Sequence, residues 1–515
     1  MTAHVLAVDL GSTGIKVAVV DADGAVLAVA GEVIPLLFVE HGGAEQDPRV
    51  WWDALGRCGR RAVGESGLAG HDIGIVAVTS QYTSTTAVDA QGHPLANTVM
   101  WMDGRGRHYY QPEFTPEQMA RWIDVHGLMP QGNCDVGHVE VIRHLWPDAY
   151  DAAVAMVEPM DLLAARLTGH VTATQNTMFP MLSVDNRTWG LTEYSDELLG
   201  MSGMPLDKLP PLVPLGEPRG TVTAEAAAHL GVSPDAVVTG ATIDSVTSAV
   251  GTGATSDDGC GLIIGTTAVM ATHLQSKRHD IEHGLTSAPS PLPDQWFLVA
   301  ENGIGGKALD VFVNQMVYAA DGLGQAVHEG SYEAVLEAAA GSPSGSNGVL
   351  FLPWLVGSMA PGDERHMRGG FVNIGLGTTR ADMARSVLEG VAMNVAWLLP
   401  YFSQLAQRTY AQITFGGGGA SSPLWGQILA DATGVPVRRL AQSSCTNAHG
   451  AALLALAETH ACAVSDLPGF LVTAEMHDPY EPNHRLLAAR TASLVDFHTR
   501  NAEFYQAFDS KDDTP

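Results

Sequence analysis

The chain has 515 residues, 46% of them hydrophobic, more than one core holds, so two domains are expected. With 27 basic against 56 acidic residues the formal net charge is −29, which argues against binding a nucleic-acid backbone or an anionic membrane surface, though not against a small anion met by local donors. Five widely spaced cysteines without a CxxC pair indicate neither a disulfide framework nor a zinc site and point to a reducing cytoplasm, and no signal-peptide pattern, membrane-length apolar run or low-complexity segment is read.

Residues 6–20 read as an apolar strand carrying Asp9, a turn of Gly11, Ser12, Thr13 and Gly14, and a second strand alternating at Ile15, Val17 and Val19. Two readings stay open. The segment is a plain hairpin whose Asp9 ties down its own turn, or its N–H groups form a nest for phosphate oxygens. In the second case Ser12 and Thr13 add donors and Asp9 is placed to hold Mg²⁺ beside them.

Further on, Asp47 and Pro48 start a helix whose buried face begins at Trp51 and Trp52. A buried strand over 73–82 ends at Gln81 and Tyr82. Short strands over 85–89 and 99–103 flank a turn at 89–92. Gln81 and the stretch Trp101-Met102-Asp103-Gly104-Arg105 lie at strand ends, where a substrate would meet side chains. Asp103 and Arg105 read equally as a local turn-stabilising pair. Residues 110–235 read as mostly helical, with a proline-rich interruption at 209–214. Asp244 then stands where the strand over 236–243 turns into a short helix, as an N-cap carboxylate or as a general base aimed into a cleft.

The second half echoes the first. Residues 259–272 are again strand, turn and strand, with Gly265-Thr266-Thr267 in the place of Gly11-Ser12-Thr13, which suggests duplicated domains facing one another. Past Glu301, the glycines Gly303, Gly305 and Gly306 open a helix and permit close backbone approach by a ligand. Residues 342–348 read as a flexible Gly/Ser-rich loop. Thr379 and Asp382 form a capping-box pattern before a helix burying Met383, Val387, Val391 and Val395. The run Gly416-Gly417-Gly418-Gly419-Ala420 before the helix start at Ser422-Pro423 suits a base, a ribose or an anion, or is a mobile loop. Ala448-His449-Gly450-Ala451-Ala452 reads as close helix packing ahead of a last helix. No P-loop, Rossmann fingerprint or HExxH pairing is present.

The ordered set Asp9-Leu10-Gly11-Ser12-Thr13, Glu45-Gln46-Asp47-Pro48 with Trp51-Trp52, Gln81, Trp101 with Asp103 and Arg105, Gly240 to Asp244, Gly265-Thr266-Thr267, Leu388-Glu389-Gly390, Gly417-Gly418-Gly419-Ala420 and Gly450-Ala451-Ala452 resembles the FGGY family of carbohydrate kinases, of the actin-like ATPase superfamily. The likeness runs over residues 4–460 and is greatest to the xylulokinase-like branch. It implies an α/β fold of two actin-like (RNase-H-like) domains with a nucleotide and sugar cleft between them. Residues 1–252 would be the sugar-binding domain with the catalytic Asp and first phosphate turn, and 253–515 the adenine nucleotide-binding domain.

By the same resemblance Asp244 is the catalytic base and Asp9 the Mg²⁺ position. Gly11, Ser12, Thr13, Gly265, Thr266 and Thr267 form the phosphate turns. Gly417, Gly418, Gly419 and Ala420 form the nucleoside loop, flanked by Gly305 and Gly306. Gln81, Tyr82, Trp101, Asp103, Asp244 and Ser245 fall on the acceptor side. ATP and Mg²⁺ are the implied cofactors and a small sugar or polyol the partner; a homodimer is left open.

The acceptor side departs from the pattern. Gln81-Tyr82-Thr83 stands for Gln-Met-His, and Ser245 for Asn or Gln. The family signatures are degraded over 134–140 and altered over 369–389, and Ser358-Met359-Ala360-Pro361 replaces an Arg-Thr-Pro motif. The expected acceptor is therefore a ketose or polyol other than D-xylulose. The alternatives are a non-sugar hydroxylated metabolite, or an actin-like ATP-binding regulatory or assembly protein without an acceptor.

Overall fold

The computed structural model describes residues 4–128, 133–256 and 259–509. Two sheets organise the chain. The first is built from β1 (His4–Gly11), β2 (Gly14–Val20) and β3 (Val26–Val33), then, after helix α1 (Pro48–Ser66), β4 (Ile73–Ser80), β5 (Gly220–Thr221) and β6 (Val237–Ile243), followed by α2 (Asp244–Gly251). Its order is β5-β6-β4-β1-β2-β3. Val5, Leu6, Ala7, Val8 and Leu10 are all 0% exposed, as a central strand covered on both faces requires.

The second sheet uses β7 (Gly261–Ile264), β8 (Thr267–Leu274), β9 (Leu285–Pro289) and β10 (Trp296–Ile304). After α3 (Gly306–Val311) and the long α4 (Arg380–Ala406) come β11 (Ile413–Gly416), α5 (Pro423–Thr433), β12 (Val437–Leu440), α6 (Thr446–Glu458), β13 (Thr473–His477) and α7 (Glu481–Asp509). Its order is β9-β10-β8-β7-β11-β12-β13. With β9 set aside, the sheets match strand for strand. A hairpin and a third antiparallel strand lie on one side, two parallel strands on the other, and an antiparallel edge strand closes each. The echo between Gly11 and Gly265 is thus a repeated sheet. The copies differ in that β5 precedes its neighbour β6 in the chain whereas β13 follows β12.

The helices after the last parallel strands trade places. α2 leaves the first sheet and lies against β7, β8 and β10 of the second, while α6 leaves the second and covers β1, β4 and β6 of the first. Ala448, Ala451, Leu453, Leu454 and Leu456 accordingly belong to the first core. α2 and α6 cross on two glycines: a Cβ on Gly251 would overlap the Thr446 carbonyl, and one on Gly450 the Thr247 carbonyl. The small-residue stretch is therefore a helix crossing, lying inside α6 rather than before it.

Local sequence signals decide several elements. Asp47 accepts from the Arg49 N–H at 3.0 Å with Pro48 in the first helical position. Thr379 and Asp382 close the capping box at 3.2 and 2.9 Å. Residues 342–348 are not a flexible loop: Ser342 donates to Asp382 at 2.6 Å, and the Gly345 N–H and Ser346 hydroxyl donate to Glu389 at 3.0 and 2.7 Å. The buried carboxylates of α4 fasten the segment. The 29-residue α7 has little amphipathic patterning and was not anticipated. Among the described residues no helix is long and apolar enough to cross a membrane, and the five cysteines form no disulfide.

Candidate active site

Three neighbouring parallel strands, β1, β4 and β6, end side by side, with Asp9 opposite Thr79 and Thr242 opposite Thr79 from the other side. Asp9, Gln81 and Asp244 therefore gather at the carboxyl edge of one sheet, where open α/β sheets place their ligands.

Asp244 is the first residue of α2, and Ile243 is the capping residue, so the N-cap alternative does not hold. Burial pushes the Asp244 carboxyl up to about 8, reinforced by the negative charges of Asp9 and Glu301. Burial also lifts Asp9, to about 6, opposed by the Lys16 charge and a hydrogen bond with Asn447. Lys16 lies opposite Asp9 across the hairpin and donates to the Ser444 carbonyl at 2.6 Å. Ser248 donates to Asn447 at 2.8 Å. The start of α6 thus ties the first hairpin to α2.

The Ser12 hydroxyl donates to Gln81 Oε1 at 2.7 Å and accepts from the Trp101 indole N–H at 2.8 Å. Gln46 donates to the Ser12 carbonyl at 2.7 Å and accepts from Trp51 at 3.1 Å. The first turn is thereby pinned, with Thr13 exposed at its tip. Asp103 is elsewhere: at 0% exposure it accepts from the Ala44 N–H at 2.8 Å and from Arg105 at 2.6 Å, and Arg105 also pairs with Glu45 at 2.9 Å. This is the local pair, lying beneath the loop that carries Trp101. Trp101 itself is 38% exposed.

In the second half, the Gly265 and Thr266 carbonyls accept from the N–H groups of Gly306 and Gly305 at 2.8 and 3.0 Å. The missing side chains of Gly305 and Gly306 are explained by this contact, since a Cβ would come within 2.7 Å of Thr267 and 2.5 Å of the Gly265 carbonyl oxygen. They fit backbone to backbone, not backbone to ligand. Gly417, at φ +81°, likewise lies against Ile264, and its N–H donates to Thr446 at 3.2 Å. Gly265 and Gly418, by contrast, face open space. Gly419 packs on Ile264 and Ala420 is buried at 0%. The second turn, the glycine loop and the start of α6 form one connected surface.

On the acceptor side Tyr82 lies within 3.5 Å of the Ser245 hydroxyl, itself 3.5 Å from Asp244 Oδ1, and Tyr82 donates to Glu301 Oε1 at 3.4 Å. This last contact spans from the first sheet to β10 of the second. Next to Tyr82, Thr83 holds φ at +56°, rare for a β-branched residue. It is fixed by its neighbour: the Ser84 N–H donates to buried Glu158 at 3.2 Å and the Ser84 hydroxyl accepts from the Trp101 N–H at 3.1 Å. Gln46, Lys16, Asn447 and Glu301 were missed as site residues. Gln46 stands in the Glu45-Gln46-Asp47-Pro48 motif, and Glu301 is the one charged residue of an otherwise uncharged strand; Lys16 and Asn447 carry no signal.

Two copies of one sheet each carry a glycine and hydroxyl turn, and Asp9, Asp244 and Glu301 gather where Tyr82 of the first sheet reaches β10 of the second. The model of the FGGY family of carbohydrate kinases, N-terminal domain, matches residues 4–251, and that of the C-terminal domain matches 260–459; the chain belongs to this family. A xylulose kinase of Staphylococcus epidermidis is 26% identical over 495 residues, 94% of each chain. The structure is similar to a gluconate kinase from Lactobacillus acidophilus (TM-score 0.84, 19% identity, 99% of this chain and 100% of that one). It is also similar to a xylulose kinase from the same organism (TM-score 0.83, 19% identity, 98% and 99%). The fold is the two-domain α/β fold of these kinases, and the protein is a carbohydrate kinase.

Proposed function

We propose that the protein transfers the γ-phosphoryl group of ATP to a hydroxyl of a small sugar (a pentulose or other ketose) or polyol, in the cytoplasm, with Asp244 as general base. The observation that carries the reading is the place of Asp244. It lies at the carboxyl edge of the first sheet, between the acceptor-side residues Tyr82 and Ser245 and the phosphate-side residues Asp9 and Lys16. As the acceptor oxygen bonds to the γ-phosphorus and the bond to ADP breaks, the hydroxyl proton passes to the Asp244 carboxylate. Gly11, Ser12, Thr13, Gly265, Thr266 and Thr267 hold the polyphosphate. Gly417 and Gly418 take the nucleoside, with Gly419, Ala420, Gly305 and Gly306 shaping that surface from behind. Gln81, Trp101 and Tyr82 orient the acceptor, and Asp103 supports the Trp101 loop. Most of the catalysis is positioning and charge neutralisation.

The donor set suits Mg²⁺. Among the described residues no group of three or more His, Cys, Asp or Glu side chains forms a metal cage, and Mg²⁺ is ordinarily held by one or two carboxylates plus phosphate oxygens and water. Asp9 offers such a carboxylate, against the charge of Asp244. Bound there, the ion would neutralise phosphate charge.

A coupled ADP-release screen over ketoses, aldoses and polyols tests the proposal. Acceptor-dependent turnover that Asp244→Ala abolishes is expected; turnover that survives in Asp244→Ala at near the parent rate overturns the assignment. ATP turnover indifferent to every acceptor overturns the kinase reading in favour of an ATP-binding regulator.

A further inference from the structure

β10 is apolar along most of its length, and Ala300 and Asn302 are 0% and 2% exposed. Glu301 between them is exposed, with its carboxylate 3.4 Å from the Tyr82 hydroxyl. From there Ser245 and Asp244 follow at 3.5 Å steps. The acceptor space is therefore bounded by a carboxylate from each lobe. The basic side chains placed around the site are turned to other partners: Lys16 to Ser444, Arg105 to Asp103 and Glu45, Lys307 to Asp310 at 2.5 Å.

We infer that Glu301, held by Tyr82, sets the acceptor class: the cleft takes uncharged polyhydroxy acceptors and rejects carboxylate-bearing ones such as aldonates of the same carbon number. This rests on the kinase reading above. A hydroxyl meeting Glu301 donates a charge-assisted hydrogen bond. A carboxylate in the same place has no hydrogen to donate, faces the Glu301 carboxylate, and gains nothing from closure of the lobes, because closure removes the water that would screen it. Such rejection works through a repulsive group rather than through better contacts to the right acceptor.

The test compares kcat/KM for neutral ketoses and polyols with that for aldonates of equal length, in the parent enzyme, Glu301→Gln and Tyr82→Phe. The parent enzyme should favour the best neutral acceptor by at least ~100-fold, and Glu301→Gln should shrink that ratio by at least ~10-fold, chiefly through a lower KM for the aldonate. Tyr82→Phe, which frees Glu301 without removing its charge, should leave the ratio above ~10-fold while raising KM for neutral acceptors. It also serves if Glu301→Gln does not fold. A parent enzyme that prefers the aldonate, or a ratio unmoved in Glu301→Gln, overturns the inference and leaves the kinase reading standing. No acceptor-stimulated ADP release from any member of the panel removes both.

Discussion

At the scale of single residues, the carboxyls of the cleft make a pH-sensitive pair. A protonated Asp244 cannot accept the acceptor's proton, and its carboxyl is held near 8 by burial and by Asp9 and Glu301. kcat/KM for the acceptor should therefore climb with pH toward 8, and more Mg²⁺ should move the climb to lower pH, since a cation beside Asp9 offsets the like charge. A flat profile from pH 6 to 8 would count against Asp244 as base. Asp244→Asn should lower kcat by roughly 10²–10⁴-fold with little change in KM for ATP. Thr83→Gly tests the strained φ of +56°. Glycine adopts that conformation freely, so stability should hold or rise by up to about 1 kcal/mol while KM for the acceptor worsens as Tyr82 loosens; steady-state kinetics and a thermal melt read both. The places of Asp9, Gln81 and Asp244 at strand ends were legible because polar residues ending buried strands stand out in one sequence. Glu301 as a site residue was not, because the hydroxyl that gives it meaning lies 219 residues away.

At the scale of elements, the glycines divide into two kinds that sequence alone cannot separate. Gly305, Gly306 and Gly417 are filled from behind by backbone, whereas Gly265 and Gly418 are open. Gly417→Ala should displace the glycine loop proposed to take the nucleoside, since its Cβ would lie 2.7 Å from the Ile264 carbonyl at φ +81°. We expect KM for ATP to rise at least ~10-fold with the acceptor KM little changed. Gly418→Ala should be tolerated by the fold and weaken ATP alone; equal effects of both variants on thermal stability would contradict the division. The hairpins, the capping box at Thr379 and Asp382 and, apart from half-buried Met383, the α4 face could be read from periodicity and caps. The fastening of residues 342–348 could not, since the carboxylates that hold it, Asp382 and Glu389, come 40 and 43 residues later.

For the whole molecule, burial sets how stability varies with pH. Asp244 and Glu458 are each lifted to about 8, Asp9 and Asp161 to about 6. Each binds its proton more tightly folded than unfolded, where carboxyls titrate near ~4. Through the window up to each folded value the native state holds the extra proton, so stability falls as pH rises. Buried His126 and His273, lowered to about 3 and 4, act oppositely below about 6.5 by staying neutral. Without metal or nucleotide, the melting temperature should drop between pH 6.5 and 8.5; a rise across that interval would show that these groups do not govern it. The α2–α6 crossing makes a second prediction. Gly450→Val forces apart two helices already in backbone contact and should cost about 2 kcal/mol or more, seen as a lower first unfolding transition. The two-lobed plan was legible from the repeated turn, but the exchange of α2 and α6 was not, because both helices are rich in small residues and neither sequence marks which lobe it packs on.

That exchange also sets an order of events during synthesis. When residues 1–252 have left the ribosome, the first lobe has its strands but lacks Leu453, Leu454 and Leu456, which finish its core. These emerge roughly 200 residues later, on the order of 10–40 s at ordinary elongation rates. A nascent chain of this protein spends that interval with an uncovered apolar sheet face, the kind of exposed surface that associates wrongly until the rest of the chain arrives to cover it.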